Sequence, residues 1–162
     1  MIKKPEQSYF HLTLIQLIYF CNEYKDFGIT VFPATITEKL PAAVVKQAFS
    51  LSADDRQTLF LDYVEKAEAI WLLKGTEGFV MIAGEEGERL PVWPHFDLAK
   101  AWNDDAQGGV EAVSISLAQF KEDWLPGLGK NNIELVLCPS RLEEEDPVLS
   151  AEELLASFQD SE

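Results

Sequence analysis

Between residues 69 and 93 the spacing of apolar residues changes from a helical period to that of short strands, and this confines the chain to a mixed fold. Residues 70–73, 79–83 and 89–93 are short apolar runs, separated by Lys74-Gly-Thr-Glu-Gly78 and Gly84-Glu-Glu-Gly87. Glycine-bearing loops this short read as hairpin turns, so the runs predict a three-stranded antiparallel meander. Proline supplies no donor to a ladder, so Pro91 and Pro94 place the third strand at an edge or break it.

Helices surround this meander. Ser8 can cap a helix running to about Phe27, with Gly28 as its left-handed stop, and its apolar positions cover nearly the whole circumference. Such a helix must be covered on more than one side. Residues 29–32 read as a short extended piece, and a second helix runs from Thr37 or Pro41 to Phe49. Ser52-Ala-Asp-Asp55 resembles a capping box opening a helix to about Glu68, whose buried stripe is Leu59, Phe60, Tyr63, Val64 and Ala67. After the meander come a helix at 96–102, a break at Gly108-Gly109, a strand at 112–115 and a helix capped by Ser116 that ends at Pro126-Gly-Leu-Gly129. A strand at 133–138 and a helix at 151–158, boxed by Ser150 and Glu153, close the chain. Helices first and a meander with interspersed helices after them give an α+β fold. One domain spans 1–162, with a helical segment at 1–50 and an α+β core at 51–158.

Charge is distributed unevenly. The formal net charge is −15, yet residues 1–50 hold five lysines against four acidic groups, while the remainder holds eight basic against twenty-four acidic groups. A field of this sign repels phosphate backbones and anionic headgroups, and it attracts basic surfaces at salt-dependent rates. Nucleic acid and membrane are therefore not the expected partners, and a basic protein is. The plainer reading of the same carboxylates is solubility. Cys21 and Cys138 stand far apart without a CxxC or a neighbouring histidine, which suits buried thiols of a reducing cytoplasm. The apolar stretch 12–21 is interrupted by polar residues and has Tyr19-Phe20 where a cleavage site needs small side chains, so it does not read as a secretory signal. It is also shorter than a membrane span.

Candidate chemistry is sparse. His95, followed by Phe96-Asp97, could act as a general base with Asp97 or Asp62 as partner, but the same residues suit the cap of the next helix. His11 lies on the apolar first helix. The pairs Asp54-Asp55, Glu85-Glu86 and Asp104-Asp105 continue into no oxygen-ligand loop, so no metal is expected. Gly127-Leu-Gly129-Lys130 lacks the first glycine and the hydroxyl of a phosphate loop, and no cofactor is implied. Trp71 and Trp93, with Trp102 and Trp124, could line a ligand or partner groove, or could pack the core. Glu143-Glu144-Glu145-Asp146 is a solvated acidic run and a candidate contact for a basic partner.

Several stretches resemble a bacterial family catalogued as domain of unknown function 2750. They are Val64 with Ile70-Trp71-Leu72-Leu73, Glu77-Gly78-Phe79-Val80, Leu90-Pro91-Val92-Trp93-Pro94, Leu135-Val136-Leu137-Cys138-Pro139 and Ser150-Ala151-Glu152-Glu153-Leu154, within residues 59–158. The resemblance implies a compact cytosolic bacterial protein, and it assigns no activity and no catalytic residue. Three expectations follow. The first is a non-catalytic acidic module that binds a protein, in an immunity or inhibitor-type role. The second is a small hydrolase-like enzyme with His95 as base. The third is a homodimer formed through the first helix, where acidic self-repulsion is weakest.

Overall fold

A computed structural model of the protein describes residues 36–103, 109–140 and 145–160. The expected helix at 8–27, its Gly28 stop, the extended piece at 29–32 and Cys21 lie outside the described residues. The helix expected from Thr37 or Pro41 is α1, Ala42–Phe49, preceded by Pro41 in extended geometry. Next comes α2, Ala53–Ala67. Ser52 Oγ accepts from the Asp55 amide at 3.2 Å and donates to Asp55 Oδ2 at 2.8 Å. The aspartate is one methylene too short for a reciprocal box, so it bonds the hydroxyl instead of the Ser52 backbone. Glu68, at φ 54°, stops α2 in left-handed geometry.

The architecture is α+β, with helices ahead of the sheets. Strand β1 (Ala69–Gly75) turns through Thr76-Glu77 into β2 (Gly78–Phe79), and β3 (Ile82–Ala83) turns through Glu85-Glu86 into β4 (Glu88–Val92). Both hairpins are antiparallel, as the loops predict. The middle run is divided between them. Val80 N still donates to Leu73 O, after which residues 82–83 pair with β4. Strand β5 (Glu111–Ser116) completes a sheet ordered β2-β1-β5. Strands β6 (Glu134–Leu137) and β7 (Val148–Leu149) complete another, ordered β3-β4-β6-β7. A backbone bridge between Trp71 and Trp93, with 2.9 Å bonds in both directions, joins the two sheets.

Two expectations about proline are corrected. Strand β4 is internal, paired with β3 on one edge and in parallel with β6 on the other. Trp93 N donates to Trp71, so two-residue alternation directs the Pro91 nitrogen to that same edge. There it falls between the end of the β3 ladder at Ile82–Arg89 and the Trp71 bridge, where no donor is required. Pro126 does not end its helix either. The helix capped by Ser116 runs through α4 (Leu117–Gln119), a π turn at Phe120–Trp124 and α5 (Leu125–Lys130). Leu125 N reaches back to Phe120 O, and this wider turn lets Pro126 enter at the start of a fresh α segment.

The sheet residues alternate between two cores. Ile70, Leu72, Leu90, Val92, Leu135 and Leu137 face the larger one, with Phe60 and Val64 of α2, Leu125 and Leu128 of α5, and Leu154 and Phe158 of α6 (Ala151–Asp160). Leu73, Trp93 and Cys138 face the smaller one, with Leu40, Ala48 of α1, and Leu98 and Ala99 of α3 (Phe96–Trp102). Helices thus cover both faces of the sheet region, which suits runs such as 70–73 that are apolar without alternation.

Candidate functional site

The sequence singles out His95, and the fold places it at the start of α3 facing residues 37–40, which precede α1. Its Nδ1 accepts the Asp97 amide at 3.0 Å, capping the helix. Its Nε2 lies 2.7 Å from the Thr37 carbonyl. With Nδ1 accepting, the proton sits on Nε2, and this neutral tautomer donates to Thr37 O. The Asp97 carboxylate accepts the Leu40 amide at 2.7 Å through Oδ2, which lies 3.8 Å from His95 Nδ1. Tyr63 Oη accepts the Thr37 amide at 3.1 Å, and the Tyr63 and His95 rings meet edge to face at 5.8 Å. Asp62 is exposed on α2. His95 and Asp97 therefore come together as a cap and a clasp on residues 37–40, and both ring nitrogens of His95 are engaged within the chain.

The tryptophans divide. Trp93 is fully buried, its ring 5.2 Å from that of Trp102, and its Nε1 has no hydrogen-bond partner among the described residues. Trp71 is half-buried and meets Phe96 edge to face at 5.3 Å. Trp124 packs against Phe79 at 4.9 Å.

The acidic run divides as well. Glu143 and Glu144 lie outside the described residues, and Glu145 is exposed. Asp146 turns inward to Arg56, its Oδ1 at 2.6 Å from Nη1, and it also accepts the Ser140 amide at 3.0 Å. Arg56 is wholly buried and donates further to Leu51 O, Cys138 O and Glu145 O. The sequence reading missed this arginine, although it sits four residues before Phe60, on the buried stripe of α2. The Cys138 thiol beside it is pushed up to about 12, chiefly by burial and against the pull of Arg56, so it stays protonated.

Most of the other carboxylates among the described residues face outward. Asp54, Asp55, Asp62, Glu68, Glu85, Glu86, Glu88, Glu122, Asp123, Glu152 and Glu153 are exposed. Among the described residues, arginine ion pairs engage only Asp146 and Glu134, the latter with Arg89 at 2.8 Å. Glu86, Glu88, Glu134 and Glu152 line a hollow of about 340 Å³. Among the described residues no group of three or more His, Cys, Asp or Glu is placed to hold a metal ion, and no helix is long and apolar enough to cross a membrane.

These features define an α+β fold with residues 37–40 clasped ahead of α1, a buried arginine knot and an acidic exterior among the described residues. The chain belongs to the family described as Protein of unknown function (DUF2750), whose model matches residues 57–158. Tyr63, His95, Asp97 and Asp146 fall inside the matched region, whereas Arg56 and residues 36–51 precede it.

Proposed function

We propose that the chain is a non-catalytic, cytosolic interaction module that engages a basic protein through its acidic exterior, with an immunity or inhibitor-type role as its concrete form. The observation that carries this reading is the outward display of carboxylates on α2, on the β3–β4 turn and on α6, few of them neutralised by a basic neighbour. A surface of this kind raises the encounter rate with a basic partner and rejects anionic ones. An enzymatic role for His95 as base would require Nδ1, the ring nitrogen without a proton, to release the Asp97 amide before it could accept one. Self-association through residues 8–27, which the sequence predicts to be helical, belongs to the same proposal, and light scattering over a dilution series tests it. The binding itself is tested by isolating the chain at low salt and identifying what elutes as salt is raised. A basic protein released by salt supports the proposal, and a neutral or acidic partner retained at high salt contradicts it.

A further inference from the structure

Of the strands that end the two sheets, β2, β3 and β7 are two residues long, whereas β5 spans six, Glu111–Ser116. Natural sheets blunt their edges with very short strands, lysine, proline or a bulge, because an unpaired edge is a template for another strand. Strand β5 carries no lysine or proline, and it matches β1 residue for residue from Ala69↔Ser116 to Lys74↔Glu111 without a bulge. Leu117 N donates to Glu68 O at 2.9 Å in the same register, and Trp71, opposite Ser114, exchanges its two bonds with Trp93 instead. Leu117, Ile115 and Val113 thus turn their backbone toward β1, while the N–H and C=O of Ala112 and Ser114 and the N–H of Ser116 point away from it. Ser114 and Ser116 are exposed, Ala112 is half-buried, and these outward groups have no backbone partner among the described residues.

At its Ser116 end the edge runs into a hollow of about 640 Å³, bordered by Glu65 and Glu68 at the end of α2, Glu122 of the π turn, and the apolar Leu117 and Phe158. Lys121 in its wall stands over the Phe158 ring at 5.0 Å, and among the described residues the three glutamates form no ion pair. The hollow therefore keeps an unspent negative charge beside an unpaired ladder.

Building on the basic partner proposed above, we infer that the outer edge of β5 is where that protein docks: a segment of it adds to β5 as an antiparallel strand and places a lysine or arginine, at the start of the segment, in the glutamate-lined hollow. The added backbone pairs the outward groups of Ala112, Ser114 and Ser116. Its apolar side chains lie beside Val113 and Ile115, which pack against the larger core, and its small ones beside Ala112 and Ser114. Charge selects against a second copy of this chain as the added strand. Ser114 set opposite Ser114 would bring Glu111 of the copy opposite Leu117, adding a carboxylate to a hollow that already holds three.

The test uses the full chain at low salt and the fluorescent, end-capped peptide Arg-Thr-Val-Thr-Val-Thr-Lys, whose arginine falls opposite Leu117 and whose valines fall opposite Ile115 and Val113. The unaltered chain binds it saturably, and Ser114→Pro, which removes an outward N–H and no bond to β1, weakens binding at least about tenfold. Glu65→Gln/Glu68→Gln weakens it about tenfold at low salt, as does glutamate in place of the peptide's arginine. No saturable binding, or equal binding by folded Ser114→Pro, overturns the inference. If Ser114→Pro does not fold, hydrogen exchange of the unaltered chain decides the matter. Bound peptide then slows the Ala112, Ser114 and Ser116 amides at least about tenfold and leaves those of Val113 and Ile115, already bonded to β1, unchanged. Outward amides that exchange equally with and without bound peptide overturn the inference. The co-purified partner separates the two proposals. A basic protein that folded Ser114→Pro captures as well as the unaltered chain does contradicts the edge and leaves the acidic-exterior reading standing, whereas a partner that is not basic contradicts both.

Discussion

Arg56 Nη1 and Asp146 Oδ1 lie 2.6 Å apart although ninety residues separate them in the chain, and the arginine side chain is only 1% exposed. The pair ties α2 to the segment between β6 and β7, with the Leu51, Cys138 and Glu145 carbonyls taking up three more of the guanidinium donors. Asp146→Ala leaves a buried cation without its counter-charge and lowers unfolding free energy by about 3–5 kcal/mol, toward the lower figure because Asp146 is partly exposed. Glu145 offers Arg56 only its carbonyl, so Glu145→Ala changes stability by less than about 0.5 kcal/mol. Urea titrations of both variants check the contrast. Equal effects would show that the side-chain ion pair does not anchor the segment.

Gly84 sits at the mouth of the β3–β4 hairpin, where an added Cβ would come within 2.9 Å of the Gly87 carbonyl and 2.7 Å of Arg89 Nε. Gly84→Ala therefore opens the turn or pushes Arg89 off Glu134, and it costs about 1–3 kcal/mol. Gly127 has open space around its Cβ position and lies inside α5, so Gly127→Ala is neutral or stabilising by thermal melting.

Glu153 closes the cap of α6: its carboxylate accepts the Ser150 amide at 2.8 Å, and its own amide donates to Ser150 Oγ at 3.2 Å. The Ser150 backbone bond, then its hydroxyl, hold the carboxyl below its ordinary 4.5. A depressed folded-state value means stabilisation that is fully present above the unfolded value and lost as pH falls through the folded one. The stability difference between the unaltered chain and Glu153→Ala is therefore constant near neutral pH and shrinks once pH drops below about 4.5. A difference that grows on acidification would contradict the cap.

The helices from α1 onward and the hairpin turns were legible because their signals are local. Ser52, Ser116, Ser150 and the paired glycines act within four residues of themselves. Pairings between distant segments were not. The parallel match of β4 with β6 and the partner of Arg56 depend on chain crossings that no short window contains. Arg56 carries a signal in its position on the α2 stripe, but that stripe was drawn from its apolar members alone. His95 was legible as a cap through Asp97. Its grip on Thr37, fifty-eight residues away, was not. Pro126 misled because its usual veto on helix continuation is lifted by the preceding π turn.

His95→Ala removes the cap of α3 and the bond to Thr37, and it lowers stability by about 1–3 kcal/mol as judged by denaturant midpoint. On the proposed function it leaves salt-dependent binding of a basic partner unchanged in the folded protein. Loss of function with folding intact would favour the enzymatic reading.

The measurement closest to the central claim is the association rate with the co-purified partner, taken across ionic strength for the unaltered chain and for Glu143→Gln/Glu144→Gln/Glu145→Gln. Asp146 is left in place because it is committed to Arg56. If the acidic exterior steers binding, the triple variant associates about tenfold more slowly at low salt, and the two rates converge as salt shortens the screening length. Rates that are equal at low salt and insensitive to ionic strength would contradict the account.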